Sequence, residues 1–228
     1  MEDIVLVGFG GHGKSVADCI ERQGKYRIVG YTDLQSYNNC KYEYLGTDTV
    51  LEKLFLDGIR NAVICIGFLG KDNVRERLYD KLKSIGYTLP TIIDPSAIIS
   101  DNAALGEGTF VGKLAVVNTE AKIGKMVIIN TKALIEHDCN VGDFTHIAVG
   151  AVLCGGVIVE ERCLVGAGAI ILQSLQIEHS SAIGAGTIIS KNVGEKRSMR
   201  SKIEFIEKIG GRQLNSCIRL TSLHIEVA

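Results

Sequence analysis

Reactive side chains concentrate in two short stretches. In "LIEHDCNVG", His137 stands beside Asp138, with Glu136 before it. An imidazole hydrogen-bonded to an adjacent carboxylate has its tautomer fixed and its basicity raised, which suits a general base. The same residues also suit an exposed polar turn. Glu136 is a second acid here, on the other flank of His137. The other stretch, "LVGFGGHGKSVAD", fits two phosphate-binding patterns. Gly8, Gly10 and Gly13 satisfy G-x-G-x-x-G, while Gly8, Gly13, Lys14 and Ser15 satisfy G-x-x-x-x-G-K-S.

The surrounding chain discriminates between these patterns. An NTPase loop needs a strand ending in an acid to hold magnesium, and "AVICIG" carries none. A dinucleotide site needs an acid at the end of the second strand, about 20 residues beyond the glycine turn. Asp33, which closes "YRIVGYTD", meets that spacing when counted from Gly13. Such a site also needs two half-folds, and only one is present. One half-fold can hold one nucleotide diphosphate, its phosphates at a helix N-terminus. A tight strand–helix turn would use the same glycines.

The element that carries His137 is a repeat. From Ala97 to Asn192 the period is six without a slip, and every sixth residue from Ile99 to Ile189 is Ile, Leu or Val. Two residues earlier the position is mostly small, and glycine recurs one residue later, as at Gly106, Gly124 and Gly142. A 3.6-residue helix cannot keep this phase. A solenoid of short strands can, each turning one aliphatic side chain inward, with three repeats closing each coil. Residues 1–90 read differently. Apolar runs at "DIVLVG", "YRIVGYTD" and "NAVICIG" alternate with helical patterns closed by Gly24, Gly58 and Gly86, a small βαβαβα parallel sheet.

Bulk properties fit a globular protein. Of 228 residues, 46% are hydrophobic, and the net charge of −1 gives no field to steer nucleic acid or anionic membrane. The seven cysteines show no C-x-x-C pair, so no zinc or other metal site is expected, and their odd number suits reduced thiols in the cytoplasm. "MEDIVLVGFGG" lacks the basic start of a signal peptide, and no apolar run reaches bilayer length. His179 and His224 carry no motif and read as surface residues.

The repeat resembles that of the hexapeptide acyltransferases. That resemblance implies a left-handed parallel β-helix and a homotrimer with active sites at subunit interfaces. "GFGGHGKSVAD" followed by "NTKALIEHDCNVGDFTHIAVGAVLCGGV" resembles, within that family, the sugar N-acetyltransferases that act on nucleotide-linked 4-amino sugars, and the related sialic acid O-acetyltransferases. The resemblance implies acetyl-CoA as co-substrate, His137 as base and Asp138 as its tuner. It implies that Gly10, Gly11 and His12 meet diphosphate and sugar, that Asp33 reaches the nucleoside, that Gly67 and Phe68 line the nucleotide cleft, and that Asn130 meets the sugar. It sets His146 at the thioester of an adjacent subunit, with Gly155, Ala167 and Gln173 along the cofactor groove. The tail departs from the family, with no proline and no "G-x-P-A-K" segment; "SKIEFIEKIGG" is expected to cap the last coil and "KRSMRSK" offers cations to coenzyme A or to solvent.

The expected organisation is thus a Rossmann-like nucleotide-sugar-binding domain over 1–90, a left-handed β-helix acetyltransferase domain over 91–192, and a capping segment over 193–228. The expected activity is direct acetyl transfer from acetyl-CoA to the amine of a UDP-, GDP- or dTDP-linked 4-amino-4,6-dideoxy sugar in bacterial polysaccharide synthesis. O-acetylation of sialic acid or another sugar hydroxyl, and a non-catalytic nucleotide-sugar-binding scaffold, are the alternatives.

Overall fold

The structure, a computed structural model, describes residues 1–68 and 73–199. The amino-terminal unit is a four-stranded parallel sheet with helices. In chain order its elements are β1 (Glu2–Val7), α1 (Gly11–Gln23), β2 (Tyr26–Thr32), β3 (Tyr44–Gly46), α2 (Leu51–Leu56), β4 (Asn61–Ile64) and α3 (Val74–Ile85). The sequence pattern indicates three strands; β3 adds a fourth, paired parallel to β2. It is too short to leave a periodicity. The strand order is β3-β2-β1-β4, so the chain turns one way from β1 to β2 and the other way to reach β4. The crevice at the carboxyl end of β1 is therefore where such sheets hold ligands.

From Ile92 the chain winds as a left-handed parallel β-helix of very short strands. Each pairs with the strand three repeats on, as Leu134–Ile135 with Val152–Leu153. The inward aliphatic column is buried throughout except Ile99 and Leu105, which are half-buried in the first coil. Every sixth residue from Gly108 to Gly186 has φ near +60°, and most are not glycine, Leu114, Lys132 and Asp138 among them. The left-handed turn is imposed by the repeat, which over-determines a conformation that L-residues otherwise avoid. The coil also runs past Asn192: Val193 bridges Ile177, and Ser198–Met199 pairs with Ala182–Ile183. That last strand arrives ahead of the phase kept by every coil before it, which is why the sequence pattern ends earlier. The capping helix expected in "SKIEFIEKIGG", the last three residues of "KRSMRSK" and His224 lie outside the described residues.

The three faces of the prism differ. One is covered by the amino-terminal unit: Ile92, Phe110 and Ile128 point outward from the coils into a shared core with Leu6, Val16 and Tyr31. A second is mixed and largely polar, with Ala104, Lys122, Asn140, Ile158 and Gln176 outward. The third points Ile98, Val116, Leu134, Val152, Ile170 and Ile188 outward, every one aliphatic, with Ile98 66% and Ile188 56% exposed.

Candidate active site

The glycine loop divides by what each glycine is needed for. A side chain at Gly8, where φ is +89°, would meet Ile66 at 2.7 Å, and one at Gly13 would press on the Gly8 carbonyl at 3.1 Å. These two serve the tight turn and the close packing of α1 on the sheet. At Gly10 and Gly11 an added carbon would meet nothing within 4 Å. Gly10 caps α1 without a side-chain hydrogen bond, and the helix has no acid in its first turn. The helix N-terminus thus has open space beside Gly10 and Gly11, an arrangement suited to an anion. Asp33 stands next to this loop: its Oδ2 accepts from the Phe9 amide at 2.8 Å and its Oδ1 from the Leu34 amide at 2.7 Å.

A seam between the two units gathers the next group. His12 packs edge-on against Phe110, with ring centroids 5.2 Å apart, and its Cβ lies beside Gly67. His146 points outward from the covered face and is buried there. Its Nδ1 lies 2.8 Å from the Phe68 carbonyl and its Nε2 3.3 Å from Asn130 Nδ2. A carbonyl can only accept and an amide nitrogen can only donate, so these partners assign the neutral tautomer with the proton on Nδ1. Burial lowers the pKa of both histidines, His12 to about 4, and the nearby Arg75 guanidinium pushes each further down. Arg75 is 3% exposed and reaches from α3 to the carbonyls of Met126 and Phe144, on successive coils. In the sequence Arg75 passes for one more charge on a solvated helix face. The signal that distinguishes it is its spacing: 75, 78 and 82 form the buried stripe of α3.

His137 and Asp138 sit at a turn on the edge between the aliphatic and polar faces. His137 Nδ1 is 2.7 Å from Asp138 Oδ2, and this bond raises the imidazole's pKa, with Glu136 adding to it. The proton is then held on Nδ1, and Nε2 is left with a lone pair. Glu136 has its own duties, accepting from the His137 amide and from Asn118. The coil above makes room for the ring: a side chain at Gly155 would come within 2.5 Å of His137 Nε2. His137, Gly155 and Gln173 take the same step on successive coils and form one column on this edge. Asn130 and Ala167 belong to the opposite edge of the same aliphatic face, and His146 to the covered face beyond it. One chain alone therefore does not bring His137 together with the nucleotide side, nor Ala167 and His146 together with Gly155 and Gln173.

Residues 3–82 match the family described as the PglD N-terminal domain. A UDP-N-acetylbacillosamine N-acetyltransferase of Bacillus subtilis (strain 168) is 32% identical over 116 residues, 49% of this chain and 51% of that protein, so the match spans about half of the relative's length. Among solved structures, the acetyltransferase domain of PglB from Neisseria gonorrhoeae FA1090 superposes with a TM-score of 0.82 and 28% identity, covering 88% of this chain and 97% of that one. PerB from Caulobacter crescentus, in complex with CoA and GDP-perosamine, gives 0.82 and 29%, covering 88% and 94%. The family model covers the amino-terminal unit, and both of these solved structures share the fold across both units of this chain.

Proposed function

We propose that this protein is a hexapeptide-repeat sugar acetyltransferase and carries an acetyl group from acetyl-CoA directly to the amine of a nucleotide-linked 4-amino-4,6-dideoxy sugar. In this reading residues 1–90 hold the nucleotide, 91–192 perform the transfer and 193–228 cap the coil. The observation that carries it is the exposed His137–Asp138 pair, with the imidazole seated against Gly155. The neutral amine attacks the thioester carbonyl, forming the C–N bond. His137 Nε2 takes the proton shed by the amine, and Asp138 stabilises the imidazolium. The tetrahedral intermediate collapses, the C–S bond breaks, and the imidazolium returns the proton to the departing thiolate. The products are N-acetyl sugar, CoA thiol and unchanged enzyme. Complexes of the relatives with acetyl-CoA, and with CoA and GDP-perosamine, support both substrates.

Gly10, Gly11 and His12 receive the diphosphate and sugar, Asp33 the nucleoside, and Gly67, Phe68 and Asn130 line the cleft. Gly155, Ala167 and Gln173 receive the pantetheine arm. Gly155 and Gln173 lie on the His137 edge, Asn130 and Ala167 on the opposite edge, and the uncovered aliphatic face between these edges supports a homotrimer. Three prisms set around a three-fold axis with this face inward bring the Asn130 and Ala167 edge of one copy against the His137 edge of the next. In that assembly His146 steadies the cleft through Phe68 and reaches the thioester side only across the subunit boundary.

The test is acetyl-CoA-dependent thiol release with UDP-, GDP- and dTDP-linked 4-amino sugars, and with sialic acid as a hydroxyl acceptor. Turnover with one nucleotide amine and loss of it in His137→Ala is the expected result. Turnover with sialic acid alone would replace the amine reading.

A further inference from the structure

We propose that Tyr37 forms the nucleoside wall of the cleft. Its ring is the surface against which the base of a nucleoside diphosphate lies, and its hydroxyl keeps on Asp33 the place that a ribose hydroxyl takes. This rests on the nucleotide-sugar reading above and adds a specificity residue to it.

Phe9, Tyr31, Tyr37, Tyr42 and Tyr44 gather around the ends of β1 and β2. The chain has 6 Phe and 7 Tyr, so this one place holds five of its thirteen such rings, in a molecule whose core is otherwise mainly aliphatic. Phe9 and Tyr31 are buried and stacked at 4.7 Å. Tyr37 is only half-buried and leans on both, at 6.3 Å from Phe9 and 6.0 Å from Tyr31. Its amide donates to the Tyr31 hydroxyl at 2.8 Å, so its backbone is pinned as well. A ring held in advance loses little freedom when a base stacks on it.

The hydrogen bonds to Asp33 are unequal. The Phe9 and Leu34 amides donate at 2.8 and 2.7 Å, while the Tyr37 hydroxyl donates at 3.3 Å. Hydroxyl bonds to a carboxylate ordinarily fall at roughly 2.5–2.7 Å. The Tyr37 bond is therefore the one a ribose hydroxyl replaces without disturbing the glycine loop, and the phenol and the ribose compete for one oxygen.

Calorimetry with UDP, GDP and dTDP on full-length wild type, Tyr37→Phe and Tyr37→Ser tests this, with acetyl-CoA titrated into each as the check on folding. Tyr37→Phe keeps the ring and removes the competitor, and should bind the preferred nucleotide as tightly as wild type or a few-fold tighter. Tyr37→Ser should lose about tenfold or more in affinity, the range of a base–aromatic stack, with acetyl-CoA affinity unchanged. Equal losses in both variants, or no loss in Tyr37→Ser, overturn the proposal. If wild type binds acetyl-CoA but none of the three nucleotides, the nucleotide-sugar reading itself is what fails.

Discussion

At the scale of the residue, the proposed base and its neighbours make sharp demands. His137→Ala should cut kcat by about 10²–10⁴-fold, with acetyl-CoA and nucleotide affinities retained, as steady-state kinetics and calorimetry would register. As the proposed base His137 works only when neutral, and Asp138 holds its pKa above the ordinary 6.5. So kcat/KM should fall as pH drops below that raised value. Asp138→Asn should shift this acid limb to lower pH and lower the plateau. Gly155→Ala should mimic a His137 variant, because the new methyl group lands on the imidazole; unchanged turnover would remove Gly155 from the site. That His137 and Asp138 fall at a turn was legible in the sequence, because the repeat fixes where turns fall. Arg75 was not, because its role depends on carbonyls of Met126 and Phe144, far along the chain.

At the scale of the element, the seam between the two units is sensitive to acid. His12 titrates at about 4 in the folded chain against an ordinary 6.5, so the unfolded chain binds more protons between those values. Stability should be complete above about pH 6.5 and decline as pH falls toward 4, measured as a falling Tm. His12→Gln should flatten that decline. Within the coils, Thr145 Oγ1 donates to the Glu160 carbonyl at 2.8 Å and accepts from the Cys163 amide at 3.1 Å. Val127 occupies the same corner one coil earlier, so Thr145→Val fits sterically and isolates the hydrogen bonds. It should cost about 1–3 kcal/mol in urea unfolding. The period of six revealed the strands and their inward column. It did not reveal the early arrival of the Ser198–Met199 strand or the short β3, since neither repeats.

At the scale of the whole molecule, the proposed trimer rests on the aliphatic face. Val152→Glu on that face should yield monomers in sedimentation and abolish turnover while nucleotide binding persists. Ile158→Glu, on the polar face, should leave assembly and turnover intact; dissociation by both or by neither would count against a trimer built on this face. The separation of His137 from His146 was legible from spacing alone, since nine residues are half of a coil, whereas the contrast between faces needed the coil's closure to sort the outward side chains. Closure after every third strand also governs how such a chain can change length. A coil added beyond Gln173 would extend the prism by ~4.8 Å and leave the base, the seam and the docked unit in register. A coil added between Phe110 and Ile128 would pull apart a pair that shares one core under the amino-terminal sheet. Insertions and deletions should therefore accumulate in whole turns toward the carboxyl end, while the amino-terminal coils keep a fixed count.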